Sequence, residues 1–79
     1  MSKPVIGLVI DAGTHLPVAG ALLVVIDPRA CIAGLAITDD SGHFIAHIDE
    51  MPGLELAIPG EGIAGIPIES GYDLTIFVP

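Results

Sequence analysis

Short apolar runs separated by turn-forming residues dominate the chain, and several of them alternate with polar residues at a period of two. This pattern predicts β-strands, because a helical face would need apolar residues three and four positions apart. We predict seven strands, over residues 5–10, 21–26, 35–38, 44–48, 54–58, 63–68 and 72–78. Strands of this length at near-regular spacing, with no amphipathic helix, predict one domain over residues 1–79, an antiparallel seven-stranded β-sandwich.

The clearest local signal is the turn at residues 38–44, which reads Thr-Asp-Asp-Ser-Gly-His-Phe. Asp39 and Asp40 can accept hydrogen bonds from nearby backbone amides, and Gly42 can adopt the positive φ that closes a tight loop. Because apolar runs lie on both sides, the segment predicts a hairpin in which strands 35–38 and 44–48 pair.

Glycine and proline refine the other strands. Gly7 inside the first strand predicts a bulge or a close neighbour, and Pro17 places its segment in a loop or at an edge. The unbroken apolar run 21–26 predicts a central strand, followed by a loop that passes through Gly34. Strand 63–68 contains a glycine and a proline, which predict an edge strand or an irregular extended segment.

The composition is unusually apolar for so small a chain. Of the 79 residues, 52% are hydrophobic and 15% are charged, and the mean hydropathy is +0.81. A domain of this size buries only about 60% of the surface that its unfolded chain exposes. We therefore expect surplus apolar side chains on the surface, and large apolar patches usually mark partner sites.

The charge excludes two classes of partner. Ten acidic residues against Lys3 and Arg29 give a formal net charge of −8. Without a basic patch, binding to nucleic acid or to an anionic membrane surface is not expected. No apolar run reaches the length of a membrane span, and the first residues lack a signal-peptide pattern. We expect cytoplasmic synthesis, with later incorporation into a virion or extracellular assembly left open.

Cys31 is the single cysteine, so no disulfide can form within the chain. The simplest expectation is a small buried apolar residue. The alternative is a bridge between molecules, because Cys31 follows Pro28 in a predicted loop.

Several turn motifs together resemble a known family. They are Val9-Ile10-Asp11, Gly13-Thr14, Pro17-Val18-Ala19-Gly20-Ala21, the 38–44 turn, and Pro52-Gly53. This succession, covering most of residues 4–58, resembles the carboxypeptidase regulatory-like domains, which belong to the transthyretin-like or prealbumin-like β-sandwiches. The resemblance implies a transthyretin-like or immunoglobulin-like Greek key and a non-catalytic module. Such modules are usually attached to enzymes, surface proteins or receptors, whereas this chain stands alone, which favours a subunit of an assembly.

The hydroxyisourate hydrolases, enzymes of the transthyretin-like group, are also similar at Val9-Ile10-Asp11 and Pro17-Val18-Ala19-Gly20. Their pattern implies a histidine before the end of the first strand, an interior arginine and histidine, and a Tyr-Arg-Gly-Ser type ending. The chain lacks these features and ends in Phe77-Val78-Pro79. We therefore expect no enzymatic activity, and such a hydrolase is a residual hypothesis.

Other polar residues support little chemistry. His43 and His47 would lie on one strand face about 13 Å apart, too far to share a metal ion. Asp11, Asp39 and Asp40 could bind calcium if their loops met, but turn formation explains the aspartates of the 38–44 turn without a metal. We expect no cofactor.

The favoured hypothesis is a non-enzymatic structural or protein-interaction module that packs on itself, as a homo-oligomer, or on a larger assembly. A virion decoration or tail protein and a filament subunit are examples; the alternative is an accessory domain that binds a ligand or calcium. Exposed strand edges and apolar faces need cover. The expected contact residues are Val5, Ile63, Ile66, Ile68, Leu74, Ile76 and Phe77.

Overall fold

The computed structural model describes residues 2–49, 52–68 and 73–79. These residues form seven strands and a single turn of 3₁₀ helix, arranged in two sheets, which confirms the all-β prediction. In chain order they are β1 (Ser2–Asp11), β2 (Leu22–Ile26), β3 (Ile32–Ile37), β4 (His43–Asp49), β5 (Glu55–Ile58), the 3₁₀ turn (Pro59–Glu61), β6 (Ile63–Pro67) and β7 (Asp73–Val78).

One sheet has the strand order β4-β1-β7 and the other has the order β3-β2-β5-β6. The prediction of a wholly antiparallel fold is wrong at one place, because β7 runs parallel to β1. Parallel neighbours need a crossover connection, and here the chain passes through the second sheet before it returns beside β1. The predicted interior position of β2 and edge position of β6 are confirmed.

The turn at residues 38–44 forms, but the strands on its two sides do not pair with each other. Asp39 Oδ1 accepts hydrogen bonds from the backbone N–H groups of Ser41 (2.9 Å) and His43 (3.0 Å), and Gly42 has φ +78°. The Val9 N–H donates to the Gly42 carbonyl oxygen at 2.9 Å and ties the turn to β1. The turn therefore carries the chain from β3 in one sheet to β4 in the other.

The inward faces of both sheets form one apolar core, and β4 shows the predicted alternation by burying Phe44, Ala46 and Ile48. Three residues that we expected at a contact surface, Val5, Ile68 and Ile76, are 0%, 9% and 5% exposed. That expectation is corrected for these three: they belong to the core cluster, and a buried side chain cannot present a surface.

The close neighbour predicted at Gly7 is present. A Cβ atom there would lie 2.5 Å from the Leu74 carbonyl oxygen and 2.7 Å from the Phe44 ring. Phe44 is also the residue that pairs with Gly7 across β1 and β4. The aromatic ring thus occupies the space that a side chain at position 7 would need.

Gly34 lies inside β3 and pairs with Val25, so its prediction as part of a loop is wrong. A Cβ atom at position 34 would lie 2.9 Å from Ile48 Cγ2 and 3.4 Å from the His47 carbonyl oxygen. The missing side chain allows β3 and β4 to approach each other where the two sheets meet. Strand β3 therefore begins at Ile32, earlier than predicted.

Thr38 holds the connection between β1 and β2 in place. Its hydroxyl donates to the Val18 carbonyl oxygen at 2.6 Å and accepts from the Ala21 N–H at 2.8 Å. Thr38 is 4% exposed. One buried side chain thus satisfies two backbone groups of a segment that forms no regular strand.

Candidate functional site

The outer side of the four-stranded sheet carries a continuous apolar surface on β2 and β3, which we name the aliphatic face. It consists of three cross-strand pairs, Leu22 with Ile37, Val24 with Leu35, and Ile26 with Ile32. Ile32 and Ile37 are each 66% exposed, Leu35 is 58% exposed and Leu22 is 45% exposed. All six side chains are aliphatic, and the exposed Glu55 of β5, which pairs with Ile26, borders the face.

The sequence of β2 and β3 explains why this surface exists. Leu23 and Val25 point inward and are fully buried, while their neighbours Leu22 and Val24 point outward and are also aliphatic. Successive residues of a strand face opposite sides of a sheet. A two-layer fold buries only one of those sides, so a strand that is apolar on both sides leaves one side uncovered.

Sequence reasoning predicted surplus apolar surface but placed it on other strands. The available signal was the unbroken apolar run of β2, which we interpreted as a central strand. Strand β3 repeats the pattern, with Ile32, Leu35 and Ile37 directed outward. Two adjacent strands of this kind in a two-layer fold would have indicated a missing third layer.

The aliphatic face supplies about half of the area that one partner contributes to a stable interface. Its exposed apolar area is on the order of 400 Å², which is within the range of the largest patches on single soluble domains. Stable protein interfaces bury about 800 Å² on each partner. The face can therefore form the apolar centre of an interface, with the surrounding turns as its rim.

Charged residues lie at both ends of the aliphatic face. Arg29 lies in the β2–β3 turn at one end, and its side chain is 78% exposed although Nη2 lies 3.1 Å from Asp27 Oδ2. Asp39 and Asp40 follow β3 at the other end, and both are exposed. Arg29 is thus balanced by Asp27, and the exposed Glu55 pairs with Ile26 on the same side of the sheet, so neither end of the face carries a net positive charge.

Asp27 organises the end of the face at which Arg29 lies. Its carboxylate accepts hydrogen bonds from the backbone N–H groups of Cys31 and Arg29, both at 2.9 Å. The Cys31 N–H is the main cause that lowers the pKa of Asp27; the Arg29 side chain and N–H also lower it, and burial opposes them. The carboxylate is therefore held ionised and fixes the turn that presents Arg29.

The outer side of the three-stranded sheet is apolar in part. Ile6 pairs with Ile45 there, and Ile10 pairs with Phe77, which is 56% exposed. A shallow depression of about 360 Å³ crosses the three strands, and Asp73 is among the residues that line it. Polar residues are interleaved on this side, which distinguishes it from the aliphatic face.

The remaining predicted contact residues are distributed over both sheets. Phe77 is at the surface, as expected of a contact residue. Ile63, Ile66 and Leu74 are half-buried and pack against the core. None of these residues belongs to the aliphatic face, so the predicted contact set and the largest observed apolar surface do not coincide.

The candidate calcium ligands serve their own turns. Asp11 Oδ1 accepts hydrogen bonds from the N–H groups of Gly13 (2.8 Å) and Thr14 (3.0 Å), as Asp39 does within the 38–44 turn. Within the described ranges, His, Cys, Asp and Glu form no group of three or more that could hold a metal ion. The calcium alternative gains no support from this arrangement.

Cys31 is exposed, so its prediction as a buried apolar residue is wrong. It follows Ala30, which has φ +64°, in the tight turn that Asp27 closes, and this turn lies outside the core. The thiol is therefore available to reagents in solution.

No helix in the part of the chain that the structure describes has the length and apolar character needed to cross a membrane. No family model matches the chain, and no match was found among curated proteins or among solved structures.

Proposed function

We propose that this chain is a non-enzymatic protein-interaction module whose aliphatic face is covered by another protein molecule in the functional state. The observation that carries the proposal is the set of four large aliphatic side chains, 45–66% exposed, on one continuous surface without a charge. Apolar surface of this size in water is unfavourable, and covering it is a main driving force for association.

The chemistry of the face favours a protein over a small ligand. Leucine and isoleucine on a pleated sheet provide area and shape but no polar group that would orient a ligand, whereas ligand sites combine a concave shape with a few polar groups. The centre of a protein interface is depleted of charged residues in the same way. The partner surface is therefore another apolar sheet or helix face.

The finer fold assignment is part of the same proposal. The crossing from β3 to β4 at the 38–44 turn, with β4 beside β1, supports a Greek-key connection. We assign the chain on this basis to the transthyretin-like sandwiches, as an assembly subunit that resembles the carboxypeptidase regulatory-like modules. A virion surface or a filament would provide such an assembly.

Photo-crosslinking tests the proposal. A photoreactive amino acid replaces Leu35, at the centre of the face, or Leu16, a matched control that is 63% exposed in the β1–β2 connection. In cells that make the chain, we expect one defined crosslinked protein from position 35 and little product from position 16. Equal, diffuse or absent products at the two positions would refute the proposal.

A further inference from the structure

We propose that the outer edge of strand β7 pairs with β7 of a second copy of this chain, so that the three-stranded sheets of the two copies join into one continuous sheet. The two β7 strands would run antiparallel about a two-fold axis at Thr75. This inference goes beyond the proposed function, because it concerns the edge of the other sheet and does not depend on what covers the aliphatic face.

The backbone of β7 directs hydrogen-bonding groups to both sides, and β1 uses one side. The Ala12 N–H donates to the Val78 carbonyl oxygen at 2.7 Å, so the backbone groups of Val78 face β1. In a strand the facing side alternates from residue to residue, so Leu74 and Ile76 also face β1. The backbone groups that face away from β1 belong to Asp73, Thr75 and Phe77. In the part of the chain that the structure describes, β1 is the single strand beside β7.

Strand β7 lacks the features that protect sheet edges from pairing. Natural proteins block such edges with proline, lysine, bulges or a covering element. The edge strand β6 contains Pro67, which has no N–H group, and Gly65, which has φ +75°. Strands β3 and β4 approach each other at Gly34, where the two sheets meet. Residues Asp73–Val78 include no glycine, proline or lysine, so this edge is open to another strand.

The hydrogen-bonding groups of this edge are self-complementary. In an antiparallel pair, two residues whose groups face the partner strand stand opposite each other and exchange two hydrogen bonds. When Thr75 stands opposite Thr75 of the second copy, Asp73 stands opposite Phe77 of that copy, and the reverse pair also forms. Every outward-facing residue of β7 is then paired, with about six hydrogen bonds in all. A two-fold contact uses the same surface on both subunits, so this one edge supplies both halves.

The side chains favour the same register. Asp73 is the single charged residue of β7, and in this register the two copies of Asp73 are about 13 Å apart along the strands, beyond the screening length of about 8 Å. A register centred nearer to Asp73 would bring the two carboxylates together. On the inner side, the half-buried Leu74 lies opposite Ile76 of the second copy, which extends the apolar core across the edge.

Amide hydrogen exchange, measured by NMR in dilute and concentrated protein, tests the pairing. High salt screens the repulsion between copies of net charge −8, and sedimentation equilibrium identifies the monomeric and dimeric samples. The N–H groups of Thr75 and Phe77 should exchange about tenfold more slowly in the dimer. Those of Leu74 and Ile76 face β1 and should be protected in both samples, as internal controls.

Three results of this measurement would overturn the inference. One is a chain that stays monomeric up to millimolar concentration. Another is a dimer in which the exchange of Thr75 and Phe77 is unchanged, because the contact would then lie elsewhere. The third is slow exchange of both groups in the monomer, which would show that the chain itself covers this edge.

A proline variant tests the role of the backbone. Thr75→Pro removes an N–H group that faces the edge and leaves the bonds to β1 in place, and proline is tolerated in edge strands in this orientation. We expect loss of the dimer in Thr75→Pro and retention in Thr75→Val, which keeps the backbone groups. Circular dichroism verifies that both variants are folded. A dimer that persists in folded Thr75→Pro would contradict the pairing.

Disulfide formation tests the register, in a Cys31→Ser background that removes the natural thiol. Thr75→Cys places two thiols at the axis, where Cα atoms about 5.5 Å apart permit a disulfide. Phe77→Cys places the two thiols about 13 Å apart on the same sheet face. The covalent dimer of Thr75→Cys should therefore form about tenfold faster under mild oxidation. Equal rates for the two variants would overturn the register.

This inference and the proposed function fail separately. The photo-crosslink at position 35 reports on the aliphatic face, whereas exchange and disulfide formation at Thr75 report on the edge of β7. A monomeric chain that still yields a defined crosslink from position 35 would remove the second copy and leave the interaction function standing.

Discussion

Replacement of Thr38 by valine should destabilise the fold strongly for so small a change in shape. The hydroxyl donates to the Val18 carbonyl oxygen at 2.6 Å and accepts from the Ala21 N–H at 2.8 Å, and the residue is 4% exposed. Valine keeps the volume but leaves both backbone groups without this partner. A buried group that loses its hydrogen bond costs about 1–3 kcal/mol.

Val18 and Ala21 are half-buried, so water can reach part of each group. We therefore expect a loss of about 2–3 kcal/mol in the free energy of unfolding, near the lower bound for two fully buried groups. Small domains have about 5–15 kcal/mol in total. The midpoint of urea unfolding, followed by circular dichroism, should fall accordingly, with an unchanged dependence on urea concentration.

Two control variants isolate the hydroxyl. Thr38→Ser keeps both hydrogen bonds and removes one methyl group, so its loss should be about 1 kcal/mol. Thr75→Val makes the same exchange at an exposed position of β7 and should change stability by less than about 0.5 kcal/mol. If Thr38→Val were as stable as Thr75→Val, the hydroxyl would not hold the β1–β2 connection, and our account of this segment would be wrong.

Two further predictions concern the first strand and the β2–β3 turn. Gly7→Ala should lower the free energy of unfolding by about 1–3 kcal/mol or more, because the new Cβ would lie 2.5 Å from the Leu74 carbonyl oxygen. The control Gly60→Ala has open space around the new Cβ and should have a small effect. Equal melting temperatures of the two variants in thermal unfolding would contradict this prediction. The lowered pKa of Asp27, due first to the Cys31 N–H, contributes stability that is fully present above the ordinary carboxyl pKa of about 3.9 and is lost as the pH falls further through the folded-state pKa. As the pH falls from about 5 to about 2, a range that brackets the ordinary carboxyl pKa of about 3.9, Asp27→Asn should therefore lose less stability than the natural chain, as measured by urea unfolding. Parallel pH profiles of the two proteins would refute the assignment.

Local features of the fold could be predicted from local residues. The alternation of β4 depends on neighbouring residues alone, and the close contact at Gly7 needed only the rule that a glycine within a strand marks a nearby atom. The turn at residues 38–44 formed for the same reason, since Asp39 bonds amides two and four residues ahead.

Long-range features could not be predicted in this way. Nothing near Gly42 determines whether the strands around it pair or separate into different sheets, because that depends on the docking of the turn against Val9. The parallel position of β7 likewise depends on the path of the intervening chain. Gly34 was assigned to a loop because its role, the approach of Ile48 from the other sheet, involves a residue distant in sequence.

The sequence predicted that the chain has an exposed apolar surface, but it did not predict which strands carry that surface. Composition alone required exposed apolar surface, and the exposed side chains of Leu35, Ile37 and Ile32 agree with that requirement. The location depended on which face of each strand the core uses. Val5 and Ile76 illustrate the difficulty. When the assumed alternation of a strand is displaced by one residue, the residues assigned to the surface are those that lie in the core.

The most direct test of the account is the solvent accessibility of methyl groups on the aliphatic face, measured by NMR with a paramagnetic cosolute. Methyl groups of Leu35 and Ile37 should be accessible in the purified chain and protected when the protein captured by the crosslink at position 35 is added, while those of Leu16, exposed to a similar degree in the structure, stay accessible in both samples. Equal accessibility of Leu16 and Leu35 in both samples would show that the captured protein does not cover this face, and would contradict the account.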